Sequence, residues 1–195
     1  MGSETAHHRA LTLPYCQGNG LDLGSAGDPI RPESIQVEPP KSYCPYFEHV
    51  YPPQLRGNAA ALAWFADRVL DYVYSSHLIE DFTVDEQRAL IREWCRVIKP
   101  GGHLVILAPE RDRWKAALAR GQSPNPYHKH EPVVGELQAH LTDEWEVLVD
   151  RCCEPPPDYS LILVARRLPL HTPATHCQCG QLLYDPAGRA RCVCG

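Results

Sequence analysis

The chain has 195 residues, enough for one hydrophobic core and a small appendage. Its formal net charge of −5 at pH 7 argues against a surface built mainly for nucleic acid. No apolar run approaches the roughly 20 residues a membrane helix needs. The polar stretch Met1–Ala10 has no apolar signal region, so a cytoplasmic protein without a membrane partner is expected.

Residues 1–17 read as an N-terminal extension, with His7 and His8 in a disordered terminus. Gly20–Gly24 (GLDLG) reads as a short buried strand ending in a glycine turn. Ser25–Ser34 is loop, punctuated by Gly27, Pro29 and Pro32. Ile35–Glu38 is a second strand, stopped by Pro39 and Pro40. Lys41–Gly57 is irregular, and Asn58–Ala66 has the alanine content of one or two helical turns. Val69–Ser75 is a strand. Thr83 opens a helix, with Glu86 three residues on as a capping box, and apolar steps carry that helix to about Ile98. Pro100-Gly101-Gly102 stops it.

His103–Ala108 is apolar on both faces, as a central parallel strand should be. Helices are expected around Arg113–Arg120 and Val133–Leu141. Trp145–Val149 and Tyr159–Arg166 are the last two strands. Strands alternating with helices imply an α/β, Rossmann-like open sheet, mainly parallel, with flanking helices. This main domain spans 18–167, a proline-containing linker 168–176, and a short tail 177–195.

In such a sheet, ligands sit outside the carboxyl ends of the strands. Asp22, Gly24, Ser25, Ala26 and Gly27 end the first strand there, Glu38 ends the second, and Ser75, Ser76 and His77 end the Val69–Ser75 strand. Glycine in the turn permits close backbone approach and positive φ. A carboxylate at the second strand end can accept both hydroxyls of a ribose. Gly18, Gly20 and Gly24 lack the spacing of a dinucleotide fingerprint, and no phosphate-cradling G-x-x-x-x-G-K-[ST] loop occurs.

These features together resemble class I S-adenosylmethionine-dependent methyltransferases of the type 11-like group. Gly20–Gly27 is similar to their first motif, Gly57–Val73 and Ser75–Phe82 to the segments around their fourth strand, and Arg96–Leu104 (RVIKPGGHL) to their helix-to-fifth-strand signature. The resemblance covers about Gly18 to Arg166 and implies a seven-stranded-type sheet and S-adenosylmethionine as cofactor. Carried over, Asp22, Gly24, Ser25, Ala26 and Gly27 would line the methionine part and Glu38 would bind the ribose. Asn58 and Ala59 would face the adenine, and Ser75 and Ser76 would border the methyl-donor end. Between Gly27 and Ile35 the chain is too short for the family's usual first helix.

Methyl transfer from a sulfonium needs positioning and exclusion of water, and a base only when the acceptor is a weak acid. His77, His128 and His130 are the candidate bases. Glu80 and Asp81 follow His77 and are also candidates, though more readily they solvate or cap the coming helix.

Of nine cysteines, Cys16, Cys44, Cys95, Cys152 and Cys153 are scattered and read as small apolar groups. Cys177, Cys179, Cys192 and Cys194 form two C-x-C-G hooks on either side of a hairpin turn at Asp185–Gly188. Four thiolates suit a structural, tetrahedral Zn2+ in a small C-terminal zinc-binding hairpin. From Arg166 onward four arginines face one aspartate, so the basic tail is suited to contact a protein or nucleic acid.

Two functions follow. One is methyl transfer to an acceptor, either a small molecule or a macromolecule recruited by the tail. The other is a non-catalytic binding or structural protein that retains the fold and works through the zinc tail.

Overall fold

A computed structural model describes residues 4–39, 55–155 and 158–169, with the backbone of 182–184 and 190–192. The elements in chain order are α1 (Glu4–Thr12), β1 (Gly20–Leu23), β2 (Ile35–Glu38), β3 (Leu55–Arg56), β4 (Leu70–Ser76), α2 (Val84–Val97), β5 (Ile98–Pro109), α3 (Arg111–Ala119), β6 (Trp145–Cys152) and β7 (Ser160–Arg167). A separate antiparallel pair, β8 (Leu182–Tyr184) and β9 (Ala190–Cys192), lies in the tail. Among the described residues no helix is long and apolar enough to cross a membrane.

The main sheet has seven strands in the order β3-β2-β1-β4-β5-β7-β6. β3, β2, β1, β4 and β5 run parallel, whereas β7 is antiparallel to both β5 and β6. The expected mainly parallel sheet is therefore mixed at one edge. The short β6–β7 connection is the reason, because parallel neighbours need a crossover of a dozen or more residues. The strand order reverses between β1 and β4, which creates the crevice where open α/β sheets bind ligands.

One face of the sheet packs Leu21, Leu23, Val73, Leu104 and Ile106 against Leu90, Ile91, Trp94 and Val97 of α2. The capping box of α2 forms as the sequence implies: the Thr83 hydroxyl accepts from the Glu86 amide and the Glu86 carboxylate accepts from the Thr83 amide. The Trp94 indole donates to the Ala59 carbonyl at 2.8 Å, and Arg96 donates to the carbonyls of Leu62 and Phe65. These bonds hold residues 58–66 as turns rather than helix.

The opposite face presents Tyr72, Tyr74, Val105, Leu107, Ile162 and Val164. No helix follows β1; the loop to β2 supplies Ile30 instead, and the N-terminal segment supplies Leu11, Leu13, Tyr15 and Cys16. Residues 4–12 are thus a docked helix and not a disordered terminus. His8 is buried and the Tyr74 hydroxyl donates to Thr5 at 3.3 Å. Burial of the apolar face left bare by the missing helix drives that docking.

Two further expectations change. Pro100-Gly101-Gly102 does not follow α2 as a loop, because β5 begins at Ile98, which pairs with Leu70. The three residues form an irregularity inside the strand, where a side chain at Gly102 would meet the Asp71 carbonyl at 2.6 Å. The helix expected over Val133–Leu141 is replaced by turns and one 3-10 turn at Gln138–His140. Gly135 takes φ +91°, which a regular helix does not accommodate.

Candidate functional site

The carboxyl ends of β1, β2 and β4 meet at the crevice. After Leu23 the chain turns sharply, with φ +76° at Gly24, +49° at Ala26 and +83° at Gly27. The Glu38 carboxylate ties this turn to the end of β2. Its Oε1 accepts from the Ala26 amide and the Ser25 hydroxyl, each at 2.8 Å. Ala26 is the strained member of the turn, since a left-handed conformation costs a non-glycine residue about 1–2 kcal/mol. Ala26→Gly is expected to stabilise the fold by about 1 kcal/mol in urea unfolding, the strain relieved being partly offset by the freer unfolded chain.

Asp22 lies beneath the turn rather than on it. It is fully buried, and its Oδ2 accepts from the Ile30 amide at 2.6 Å. This bond anchors the short loop that stands in for a helix. Burial pushes the Asp22 carboxyl up to about 7. In the unfolded chain an aspartate titrates near 3.9. Between these values the folded protein holds a proton that the unfolded chain has lost, so the Asp22 contribution falls as pH rises from about 4 through 7. Asp22→Asn keeps an acceptor for Ile30 and cannot ionise. Unfolding free energies at pH 4.5 and pH 8 are expected to lie closer together in this variant, by about 1.4 kcal/mol for each pKa unit of the shift.

The other residues expected at the cofactor are spread around the same rim. Asn58 is exposed one residue beyond Gly57, whose amide donates to the Glu38 carbonyl. Its side-chain oxygen accepts from the Ala60 amide, and the carbonyl of Ala59 is held by Trp94. Ser75 is fully buried and its hydroxyl donates to the Leu23 carbonyl at 3.4 Å, so the side chain turns into the sheet. Ser76 is also buried, at the last position of β4.

Beyond β4 a second set of groups gathers. His77 sits at φ +52°, and its amide donates to the Leu107 carbonyl. His77 Nε2 lies 3.1 Å from Ser160 Oγ, and Nδ1 lies 3.6 Å from Glu80 Oε1. His128 Nε2 approaches the same Glu80 oxygen at 3.6 Å, and its Nδ1 is 2.9 Å from Glu131 Oε1. The His128 ring rests against Trp114. His77, Glu80 and His128 are therefore brought together from two loops. His130 is not part of this group: it lies 2.5 Å from Glu136 and 3.0 Å from Arg111.

Glu80 neither solvates nor caps α2, a task that belongs to Thr83. Its carboxylate is 1% exposed, and its Oε2 has no hydrogen-bond partner. Burial holds this carboxyl well above the usual range. Burial also lowers the His77 imidazole to about 4, so the ring is neutral at pH 7 and able to accept a proton. Glu4, Tyr159 and Ser160 complete the surroundings. The Tyr159 hydroxyl donates to Glu4 at 2.6 Å, and Glu4 Oε2 lies 3.9 Å from His77. Nothing local in the sequence marks these three, because α1 and β7 reach the site only through the tertiary fold.

Cys177, Cys179, Cys194 and the side chain of Cys192 lie outside the described residues. Cys16, Cys95, Cys152 and Cys153 are free thiols, the first and last fully buried.

Residues 18–106 match the family described as a methyltransferase domain. No curated protein sequence matches the chain. Solved structures share its fold at low identity. A protein from Pyrococcus horikoshii superimposes with a TM-score of 0.60 at 16% identity, over 82% of this chain and 87% of the other. A SAM-dependent methyltransferase from Archaeoglobus fulgidus gives 0.60 at 16% identity, over 84% and 92%. A chain of the Haloferax volcanii complex between the Trm112 methyltransferase activator and its candidate methyltransferase gives 0.61 at 16% identity, over 86% and 90%. The chain thus carries the methyltransferase-domain pattern over β1 to β5 and a Rossmann-like methyltransferase fold.

Proposed function

We propose that this protein is an S-adenosylmethionine-dependent methyltransferase. The observation that carries the reading is the Glu38 carboxylate, which joins the end of β2 to the left-handed turn at the end of β1. The donor set fits the cofactor. Gly24, Ser25, Ala26 and Gly27 would hold its methionine part, Glu38 its ribose, and Asn58 and Ala59 its adenine. Because Glu38 Oε1 is committed to the turn, the ribose hydroxyls would fall to the other carboxylate oxygen. When bound, the cofactor supplies an electrophilic methyl group on a sulfonium.

His77 is the residue best placed to take a proton from an acceptor. It follows β4, is neutral at pH 7, and has Glu80 behind it. His128 and Glu131 extend this polar chain, and the Glu4 carboxylate, 3.9 Å from His77 Nε2, would meet charge arising on the ring. Such an arrangement suits an acceptor that must lose a proton, such as a hydroxyl. Ser160 and Glu4 orient the imidazole from the other side.

The tail is read as a structural zinc unit. Pairing of Leu182 with Cys192 brings the end of β9 back to the start of β8. That return suits Cys177 and Cys179 sharing one ion with Cys192 and Cys194. The basic tail would then recruit a macromolecular acceptor or a partner, in a cytoplasmic setting.

A second reading, a non-catalytic scaffold, draws on the missing helix after β1 and on the prior engagement of Glu38. Calorimetric titration of the zinc-loaded full chain with S-adenosylmethionine separates the two. Micromolar binding supports the enzyme. A folded protein that takes up neither S-adenosylmethionine nor S-adenosylhomocysteine is a scaffold.

A further inference from the structure

Helix α1 carries a cluster that the proposed methyl transfer does not use. His8 points inward and is 5% exposed, while His7 beside it is 69% exposed. Both imidazoles reach the same atom. His8 Nε2 lies 3.3 Å and His7 Nε2 3.8 Å from Asp158 Oδ2, and the three atoms all lie within 4.8 Å of one another. The Asp158 side chain is 7% exposed, and its other oxygen accepts from the Ser160 amide at 2.8 Å. That bond fixes the carboxylate with Oδ2 turned toward the histidines.

His8 Nε2 is the telling atom. It is enclosed, yet it has no hydrogen-bond partner, so even its approach to Asp158 lacks hydrogen-bond geometry. Buried ring nitrogens are ordinarily satisfied. Two imidazole nitrogens and a carboxylate oxygen around one point satisfy a metal ion instead. Tetrahedral zinc bonds of about 2.0–2.1 Å set neighbouring ligand atoms roughly 3.3–3.4 Å apart; the His8–Asp158 pair stands at 3.3 Å, and the exposed His7, 3.8 Å from the same oxygen, would close by a small side-chain shift. The donor set suits zinc, cobalt or nickel, and not the oxygen-seeking magnesium or calcium.

We propose that His7, His8 and Asp158 form a binding site for one zinc-class divalent cation that fastens α1 to the β6–β7 connection. Glu4 stands next to it, with Oε2 3.9 Å from His8 Nε2 and 3.9 Å from His77 Nε2. It is the nearest further carboxylate, able to serve as fourth ligand or to leave that position to water. Occupancy would therefore set the position of α1 beside His77. The site draws on none of the cofactor residues and stands whether or not the chain transfers methyl groups.

Cobalt titration of the metal-free full chain tests this, because cobalt reports its ligands. Thiolate ligation by the tail gives an intense charge-transfer band, whereas nitrogen and oxygen ligands give only weak visible bands. A full chain with Cys177→Ser, Cys179→Ser, Cys192→Ser and Cys194→Ser is expected to take up one cobalt ion without the charge-transfer band, and to slow hydrogen exchange in α1. In that background His7→Ala, at an exposed position that should not disturb folding, is expected to weaken uptake by at least ~10-fold. Asp158→Asn should weaken it further. Lack of uptake by the cysteine-free tail variant, or uptake untouched by both His7→Ala and Asp158→Asn, overturns the proposal.

Discussion

Glu38→Ala is expected to weaken S-adenosylmethionine binding by about 100-fold or more. A carboxylate that accepts from two ribose hydroxyls makes charge-assisted bonds, each worth about 1.5–3 kcal/mol when its partner would otherwise go unmet. The same substitution removes the acceptor of the Ala26 amide and the Ser25 hydroxyl. The turn at the end of β1 then loses its tie to β2, at a cost of about 1–2 kcal/mol in global stability. Glu38→Gln separates the two effects. Its amide oxygen can still serve Ala26 and Ser25, so stability should stay near the parent value while affinity still falls. Calorimetry with urea unfolding on both variants checks this. Undiminished affinity in Glu38→Ala would move the ribose away from β2.

His77→Ala is the second large effect. General-base assistance contributes about 100- to 10,000-fold to rate, so with an acceptor that must lose a proton kcat should fall by that factor. Binding of S-adenosylmethionine should be unchanged, because His77 lies beyond the turn that Glu38 organises. Burial holds the imidazole near 4, so the acid limb of kcat/KM in the parent protein should lie below the ordinary histidine range. Glu80→Gln tests the group behind it. Glu80 is a positioning residue, 3.6 Å from both His77 and His128 and shut off from solvent. Burial favours its neutral acid form, which the amide mimics, so this variant should lose less rate than His77→Ala and leave the acid limb near that of the parent. A His77→Ala enzyme with kcat within twofold of the parent would assign His77 a structural role only.

The features legible in the sequence are those governed by a few neighbouring residues. The glycine turn after Leu23, the carboxylate at the end of Ile35–Glu38 and the Thr83–Glu86 cap are local, because turn conformation and capping involve atoms three or four residues apart. The run His103–Ala108 announces a central strand because burial on both faces demands apolar residues throughout. Such signals sufficed to place the crevice at the ends of β1, β2 and β4.

What the tertiary structure decided involves partners far apart in the chain. Glu80 stands between Ile79 and Asp81 in sequence, which leaves its exposure open, and packing of residues 128–131 against it closes it off from water. His128 and His130 are near twins in sequence, yet one turns to Glu80 and the other to Arg111 and Glu136. Insertion of β7 between β5 and β6 depends on which edge of the sheet remains open. The docking of α1 could not be read from Met1–Ala10, because its cause lies elsewhere. The loop after β1 is too short for a helix, the Tyr72–Tyr74 face is left uncovered, and burying that face is what orders the N-terminal segment and carries His8 to Asp158.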